Sequence, residues 1–217
     1  MFFPNNPLVS IIMSTYNRAY IIRNAIESVL EQDYKNIELV IIDDGSTDST
    51  KEVVLSYVDS RIRYFWKQNG GQASGLNYGL LVAKGDIVTF IDSDDRYKSD
   101  HVSHLSSQLI CHNLDLSIGS FELIHSGPPP RVVDYFDPSK TILLENVDVA
   151  TGIICAKRSS ILSVGGFRGD LQDIDLLVRM KNLGYKIKKS PTKTYEYFYG
   201  ICQDSLIVSI TNNQLSH

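Results

Sequence analysis

The sequence predicts an α/β fold with a mainly parallel central sheet and helices on both faces. Three observations carry that reading. Apolar runs of strand length alternate with segments whose apolar residues recur at helical spacing. The polar clusters of the first half fall where those strands end, which is where open parallel sheets bind ligands. A length of 217 residues, 43% of them hydrophobic, suffices for one substantial core, alone or with a smaller lobe.

In chain order, Leu8 to Met13, broken only by Ser10, reads as a buried strand ending at Ser14-Thr15-Tyr16-Asn17. Ile21, Ile22, Ala25, Ile26, Val29 and Leu30 follow at helical spacing, with Asn17 as the expected N-cap. Glu38 to Ile42 is a second strand, closed by Asp43-Asp44-Gly45-Ser46. A helix carrying Val53, Val54 and Tyr57 leads to a third strand, Ile62 to Trp66. After the Asn69-Gly70-Gly71 turn, Gln72 to Ala83 reads as a helix weakened by Gly75 and Gly79 and ended by Gly85. Ile87 to Ile91 is then a buried strand that delivers Asp92-Ser93-Asp94-Asp95.

The second half is less regular. Ser99 to Cys111 reads as a helix capped by Ser99; His101 and His104 lie one turn apart on it, either on a solvated face or on a metal. Leu114 to Leu123 reads as a strand. Ser126 to Pro130 is a stiff break, and the chain on to about Asn146 reads as a loop or lobe over the site. Gly152 to Ala156 is a short strand, and Gly165-Gly166-Phe167 a turn. A helix from Leu171 to Asn182 carries Asp173 and Asp175 near its start, and Tyr185 to Lys189 and Thr194 to Tyr199 read as two strands.

A net charge of -4 argues against a nucleic-acid partner. The basic cluster Lys181 to Lys193 is either a solvated helix face or a contact to anionic lipid or phosphate. Cys111, Cys155 and Cys202 are odd in number and far apart, so a reducing compartment is expected. Pro4 breaks the opening apolar residues, no signal peptide is expected, and no apolar run approaches the ~18 residues of a membrane span. These features point to a cytoplasmic protein, with peripheral contact at the inner face of the membrane left open.

Three carboxylates at a strand mouth repel one another and resist desolvation. Asp92-Ser93-Asp94-Asp95 is therefore either a solvated acidic turn or a site for a hard divalent cation, Mn²⁺ or Mg²⁺. Asp43-Asp44 ends the neighbouring strand, where a carboxylate can accept a uracil imide N–H or ribose hydroxyls. Gly70-Gly71 is either an ordinary turn or a place of close backbone approach to a ligand.

Five segments then stand in a telling order: Pro7 to Asn17 (PLVSIIMSTYN), Ile41 to Asp48 (IIDDGSTD), Asn69 to Asn77 with Gly85-Asp86, Asp92-Ser93-Asp94, and Gly165-Gly166-Phe167 with Gln172 to Asp175. Together they resemble the family 2 inverting glycosyltransferases of bacterial type, over about Pro7 to Gly184. The resemblance implies one GT-A (nucleotide-diphospho-sugar transferase) domain over residues 1–217, with 1–98 the nucleotide-binding half and 99–217 the acceptor-side half. It implies metal-dependent transfer from a nucleotide-diphosphate sugar, expected to be a UDP-sugar, to a hydroxyl of a glycan or lipid-linked glycan in surface polysaccharide or glycoconjugate synthesis.

By position, the resemblance puts Ser14, Tyr16 and Asn17 in the nucleotide pocket and Asp44 at the base. Gly71, Gln72, Asn77 and Ser93 join the nucleotide-sugar site, Asp92 meets ribose or metal, Asp94 binds the metal, and Asp173 is the general base. Asp175 is expected to pair with Arg179. The sequence departs from the family pattern at Gln172 (usually Glu), at Leu76 (often Arg) and at Cys202, which stands near where a metal- or diphosphate-binding histidine is often found. Cys202 is a near-site residue or simply a buried thiol, since hard cations prefer oxygen. Two rival functions remain, a degenerate nucleotide-sugar binder and a sugar-phosphate nucleotidyltransferase. The second would need an early glycine-rich basic loop, which Ser14 to Arg18 does not supply.

Overall fold

The computed structural model describes residues 6–128, 130–134, 139–147 and 149–199. Its core begins with strand β1 (Val9–Thr15), helix α1 (Ile22–Leu30), β2 (Ile37–Asp43), α2 (Thr50–Leu55), β3 (Ile62–Trp66), α3 (Gln72–Val82) and β4 (Ile87–Phe90). Strands β1 and β2 read as nearly continuous apolar runs because both faces are covered; Ile11, Ile12, Met13, Ile41 and Ile42 have no exposed surface. Each such side chain contributes about 1.5–3 kcal/mol on burial.

The remaining elements are β5 (Arg96–Tyr97), α4 (His101–Cys111), β6 (Leu116–His125), β7 (Arg131–Val133), β8 (Thr141–Leu143), β9 (Ile154–Lys157), α5 (Arg158–Ser163), α6 (Gln172–Asn182) and β10 (Ile187–Tyr199). Short 3₁₀ turns at Leu144–Asn146 and Thr151–Ile153 precede β9. The eight-stranded sheet has the order β3-β2-β1-β4-β9-β6-β10-β5. β1 pairs in parallel with β2 and β4, β2 with β3, and β6 with β10. β9 runs antiparallel to both β4 and β6, and β5 antiparallel to β10. The sheet is thus mainly parallel, and its strand order reverses between β1 and β4. The carboxyl ends of the strands at that reversal are where ligands bind in such folds.

The amino ends are tied off separately. Ser10, the one polar break in β1, donates from Oγ to Glu38 Oε1 at 2.6 Å and accepts the Gly85 N–H at 2.8 Å. Gly75 and Gly79 do not merely weaken α3. A Cβ on Gly75 would fall within 3.0 Å of Ser14 Oγ, and one on Gly79 within 3.0 Å of Ile12 Cγ2. The glycines let α3 lie directly on β1, and that packing offsets their lower helix propensity.

Several expectations are corrected. Asn17 does not cap α1, whose N-cap is Ile21; Ser99 does not cap α4, whose N-cap is Asp100. His101 is fully buried and stacks on Tyr97 with ring centroids 3.9 Å apart, while His104 Nε2 meets Ser190 Oγ at 2.7 Å. Both histidines therefore face the sheet rather than solvent or a metal. The region after Ser126 contains the antiparallel β7–β8 pair instead of only loop. The two expected late strands are one, β10, with register shifts between Lys189 and Tyr195. Pro191 sits in that stretch and lacks the N–H a continuous ladder needs. Four of the basic residues, Lys186, Lys188, Lys189 and Lys193, lie just before or on β10, not on a helix. Among the described residues no helix is long and apolar enough to cross a membrane.

Candidate active site

Strand β4 leaves the core at Ile91, whose N–H donates to Ile12 O at 3.1 Å, so Asp92 emerges beside the end of β1. The Asp95 N–H closes the turn on Asp92 O at 3.2 Å. Gln72, the first residue of α3, donates from Nε2 to Asp92 Oδ1 at 2.8 Å. Burial, then the charges of Asp94 and Asp173, raise the Asp92 carboxyl to about 7, against the pull of Gln72 and the Arg18 cation. Burial also raises Asp94, again opposed by Arg18. Burial raises Asp173 too, opposed by the backbone N–H groups of Ile174 and Thr151. Asp173, the second residue of α6, therefore lies within electrostatic reach of Asp92, in the turn after β4.

Asp95 is engaged by the chain itself through its carboxylate. It is 2% exposed, and its oxygens accept from Tyr195 Oη at 2.7 Å and the Phe198 N–H at 2.8 Å. Ser93 is buried within the turn. Asp92 and Asp94 are the residues that could hold a metal. Their donor set is all oxygen, which suits Mg²⁺ or Mn²⁺. Among the described residues no three His, Cys, Asp or Glu side chains form a complete cage. Cys202 lies outside the described residues.

The loops after β1 and β2 brace each other. Asn17 sits at φ +53°, a left-handed conformation that Asn tolerates. Its Oδ1 accepts from Thr47 N–H at 2.8 Å and Asp48 N–H at 3.3 Å, and its own N–H donates to Ser46 Oγ at 2.9 Å. Asn17 thus fastens the two loops together through its Oδ1 and backbone N–H. Ser14 lies beside Gly75, and Tyr16, just past the end of β1, is 46% exposed.

The carboxylate of Asp44 is not offered to a base in this structure. It is buried and accepts from Lys67 Nζ at 2.5 Å, the Gly70 N–H at 3.0 Å and the Gly71 N–H at 2.7 Å. Asp44 anchors the glycine turn, and Gly71 is needed there for its φ of +84°, since a Cβ would meet open space. Asp43 is engaged likewise, accepting from Tyr64 Oη at 2.5 Å and the Ser46 N–H at 2.7 Å.

Asn77 is a clamp as well. Its Nδ2 donates to Phe167 O and its Oδ1 accepts the Phe167 N–H, both at 2.9 Å. Gly166, at φ +70°, passes so close to Asn77 that any Cβ would fall within 3.0 Å of its Oδ1. This fixes the turn that leads into α6 and Asp173. Asp175 is tied to Arg179, with Nε to Oδ2 at 2.8 Å and Nη2 to Oδ2 at 2.5 Å. Sequence reasoning missed Arg18, Lys67 and Tyr195. Arg18 alone carried a signal, as the first cation after β1.

The sequence pattern of glycosyl transferase family 2 matches residues 10–162. An uncharacterised glycosyltransferase of Rickettsia felis is 45% identical over 151 residues, 66% of this chain and 24% of that protein. The glycosyltransferase GlyA of Streptococcus pneumoniae is 36% identical over 115 residues, 52% of this chain and 16% of that protein. The chain spans less than half the length of these curated relatives. Among solved structures, S. aureus TarS 1-349 in complex with UDP-GlcNAc superposes with a TM-score of 0.72 at 21% identity, covering 93% of this chain and 60% of that one. The mannosyltransferase PcManGT of Pyrobaculum calidifontis, in complex with GDP-Man and Mn²⁺, also gives 0.72 at 21% identity, covering 92% and 59%. The curled α/β fold is that of the GT-A transferases. By the match across residues 10–162, the chain belongs to glycosyl transferase family 2.

Proposed function

We propose that the chain transfers a sugar, with inversion, from a nucleoside diphosphate sugar to an acceptor hydroxyl. The observation that carries this reading is the position of Asp92 and Asp94 after β4, beside the reversal of strand order, with Asp173 near enough to raise the Asp92 carboxyl. The nucleotide sugars bound by TarS and PcManGT support the donor class. The Mn²⁺ of PcManGT supports a divalent ion at Asp92 and Asp94. When bound, that ion supplies Lewis-acid neutralisation of the charge on the diphosphate.

The remaining work falls to the chain's own groups. Ser14 and Tyr16 line the nucleotide pocket, and Gln72 orients Asp92. Asp173 accepts the acceptor's hydroxyl proton as that oxygen bonds to the anomeric carbon and the diphosphate leaves from the opposite face. Burial raises its pKa, which makes it a stronger base than an ordinary carboxylate. The base cannot lie in the β4 turn itself, because attack comes from across the sugar.

Calorimetric titration of UDP and of GDP, with and without Mn²⁺, into wild type and Asp94→Asn tests the reading. Wild type should bind one nucleotide with a strong Mn²⁺ requirement, and the variant should bind it at least 10-fold more weakly. Equal affinities and equal Mn²⁺ dependence would remove the metal from Asp94.

A further inference from the structure

We propose that Tyr195, on β10, is a positioning residue that holds the Asp92–Asp95 turn in its ligand-ready shape. Its hydroxyl donates to Asp95 Oδ2 at 2.7 Å and accepts the Asp92 N–H at 3.3 Å. One oxygen thus grips both ends of the turn that carries Asp92 and Asp94. Only a hydroxyl can donate and accept in this way, and only a tyrosine is long enough to do so from β10.

The side chain is itself fixed on every side. Tyr195 has no exposed surface and lies edge-on to Tyr97, its register partner on β5, at a centroid distance of 5.7 Å. Gly152 lies against the ring so closely that a Cβ there would fall within 3.0 Å of Tyr195 Cζ and Oη. The 3₁₀ turn Thr151–Ile153 therefore rests on the tyrosine. The N–H of Thr151, in that same turn, is one of the groups that favour the Asp173 carboxylate. A single buried ring thus touches the turn bearing Asp92 and Asp94 and the segment that supports Asp173.

The physical need is plain. Asp92 and Asp94 repel each other when no cation is present, and an untethered turn would swing them apart. A second shell of hydrogen bonds that fixes the ligands in advance lowers the cost of ordering them on binding. Asp95, unavailable to a ligand, fits this part: it links the turn through Tyr195 and Phe198 to β10.

The inference rests on the reading that Asp92 and Asp94 receive the donor's diphosphate through a metal, so the test separates the two. Tyr195→Phe keeps the ring beneath Gly152 and removes the hydroxyl. Asp95→Asn keeps the turn's shape and replaces an acceptor oxygen by an amide, and serves if the first variant does not fold. Ser10→Ala deletes a buried hydroxyl at the opposite end of β1 and is the control. Amide hydrogen exchange at Asp92 is measured without metal, and affinity for UDP and GDP is measured with Mn²⁺. Exchange at Asp92 should rise at least 10-fold and nucleotide affinity fall at least 10-fold in the site variants, with both within twofold of wild type in the control. Asp92 exchange within twofold of wild type in a folded site variant would overturn the proposal. If wild type binds neither nucleotide, the proposed function fails, and exchange at Asp92 alone still decides the role of Tyr195.

Discussion

Asn77→Ala should destabilise the protein well beyond what a half-exposed polar residue on a helix would suggest. The wild-type side chain makes two hydrogen bonds of 2.9 Å to the backbone of Phe167, one as donor and one as acceptor. Phe167 is 2% exposed and packs edge-on against Phe90 with centroids 5.0 Å apart. Water cannot readily replace either bond. Each of the two backbone groups left unpaired costs ~1–3 kcal/mol, so the expected loss is about 2–6 kcal/mol. For a chain of this size that is roughly 2–4 °C of Tm for every kcal/mol. Urea denaturation of wild type, Asn77→Ala and Asn77→Asp provides the measurement. The Asp variant keeps the acceptor for the Phe167 N–H but loses the donor, so it should fall between the other two or set its charge against Phe167 O and fall lower. A loss below ~0.5 kcal/mol for Asn77→Ala would refute the clamp and return Asn77 to the ligand pocket.

Three further outcomes follow from the same geometry. Asp44→Asn should weaken UDP and GDP alike, because it loosens the Gly70–Gly71 turn instead of removing a base contact; selective loss of UDP binding would restore the uracil assignment. Burial depresses His101 to about 3, so the native state resists a proton that the unfolded chain takes up near pH ~6.5. Its contribution is present above that pH and is lost as pH falls toward 3. The stability of wild type relative to His101→Asn should therefore decline below pH ~6.5, by at most ~1.4 kcal/mol per unit, and a flat difference in urea titrations down to pH ~4.5 would contradict this. Gly79→Ala should destabilise despite a helix-propensity gain of ~1 kcal/mol, because the methyl meets the fully buried Ile12; a more stable variant in thermal melts would contradict the close packing.

The first half of the fold was legible because β1, β2 and β4 are nearly continuous apolar runs and α1, between the first two, has a clear apolar face. The β7–β8 pair was not, because three-residue strands beside a proline run carry too little alternation to distinguish them from loop. The acidic turn stood out in the sequence as a run of carboxylates after a buried strand, and Asp173 lies within electrostatic reach of it. The finer roles were not. Asn17, Asp44 and Asn77 are the polar residues expected at a ligand, yet their side chains satisfy backbone N–H and C=O groups of the chain itself. Sequence shows that a polar group lies near a strand end but not which way it faces. Tyr195 left no signal at all, being an aromatic residue in a strand, where aromatics are common for packing alone.

The most direct test of the account is transfer by Asp173→Asn. The substitution keeps the shape of the side chain and removes its basicity. Mn²⁺-dependent nucleotide binding should stay within about twofold of wild type, while transfer from the donor that wild type uses should fall ~10²-fold or more. Asp175→Asn should be far less affected, because that carboxylate is held by Arg179. Near-normal transfer by Asp173→Asn together with an inactive Asp175→Asn would contradict the assignment and move the base to Asp175.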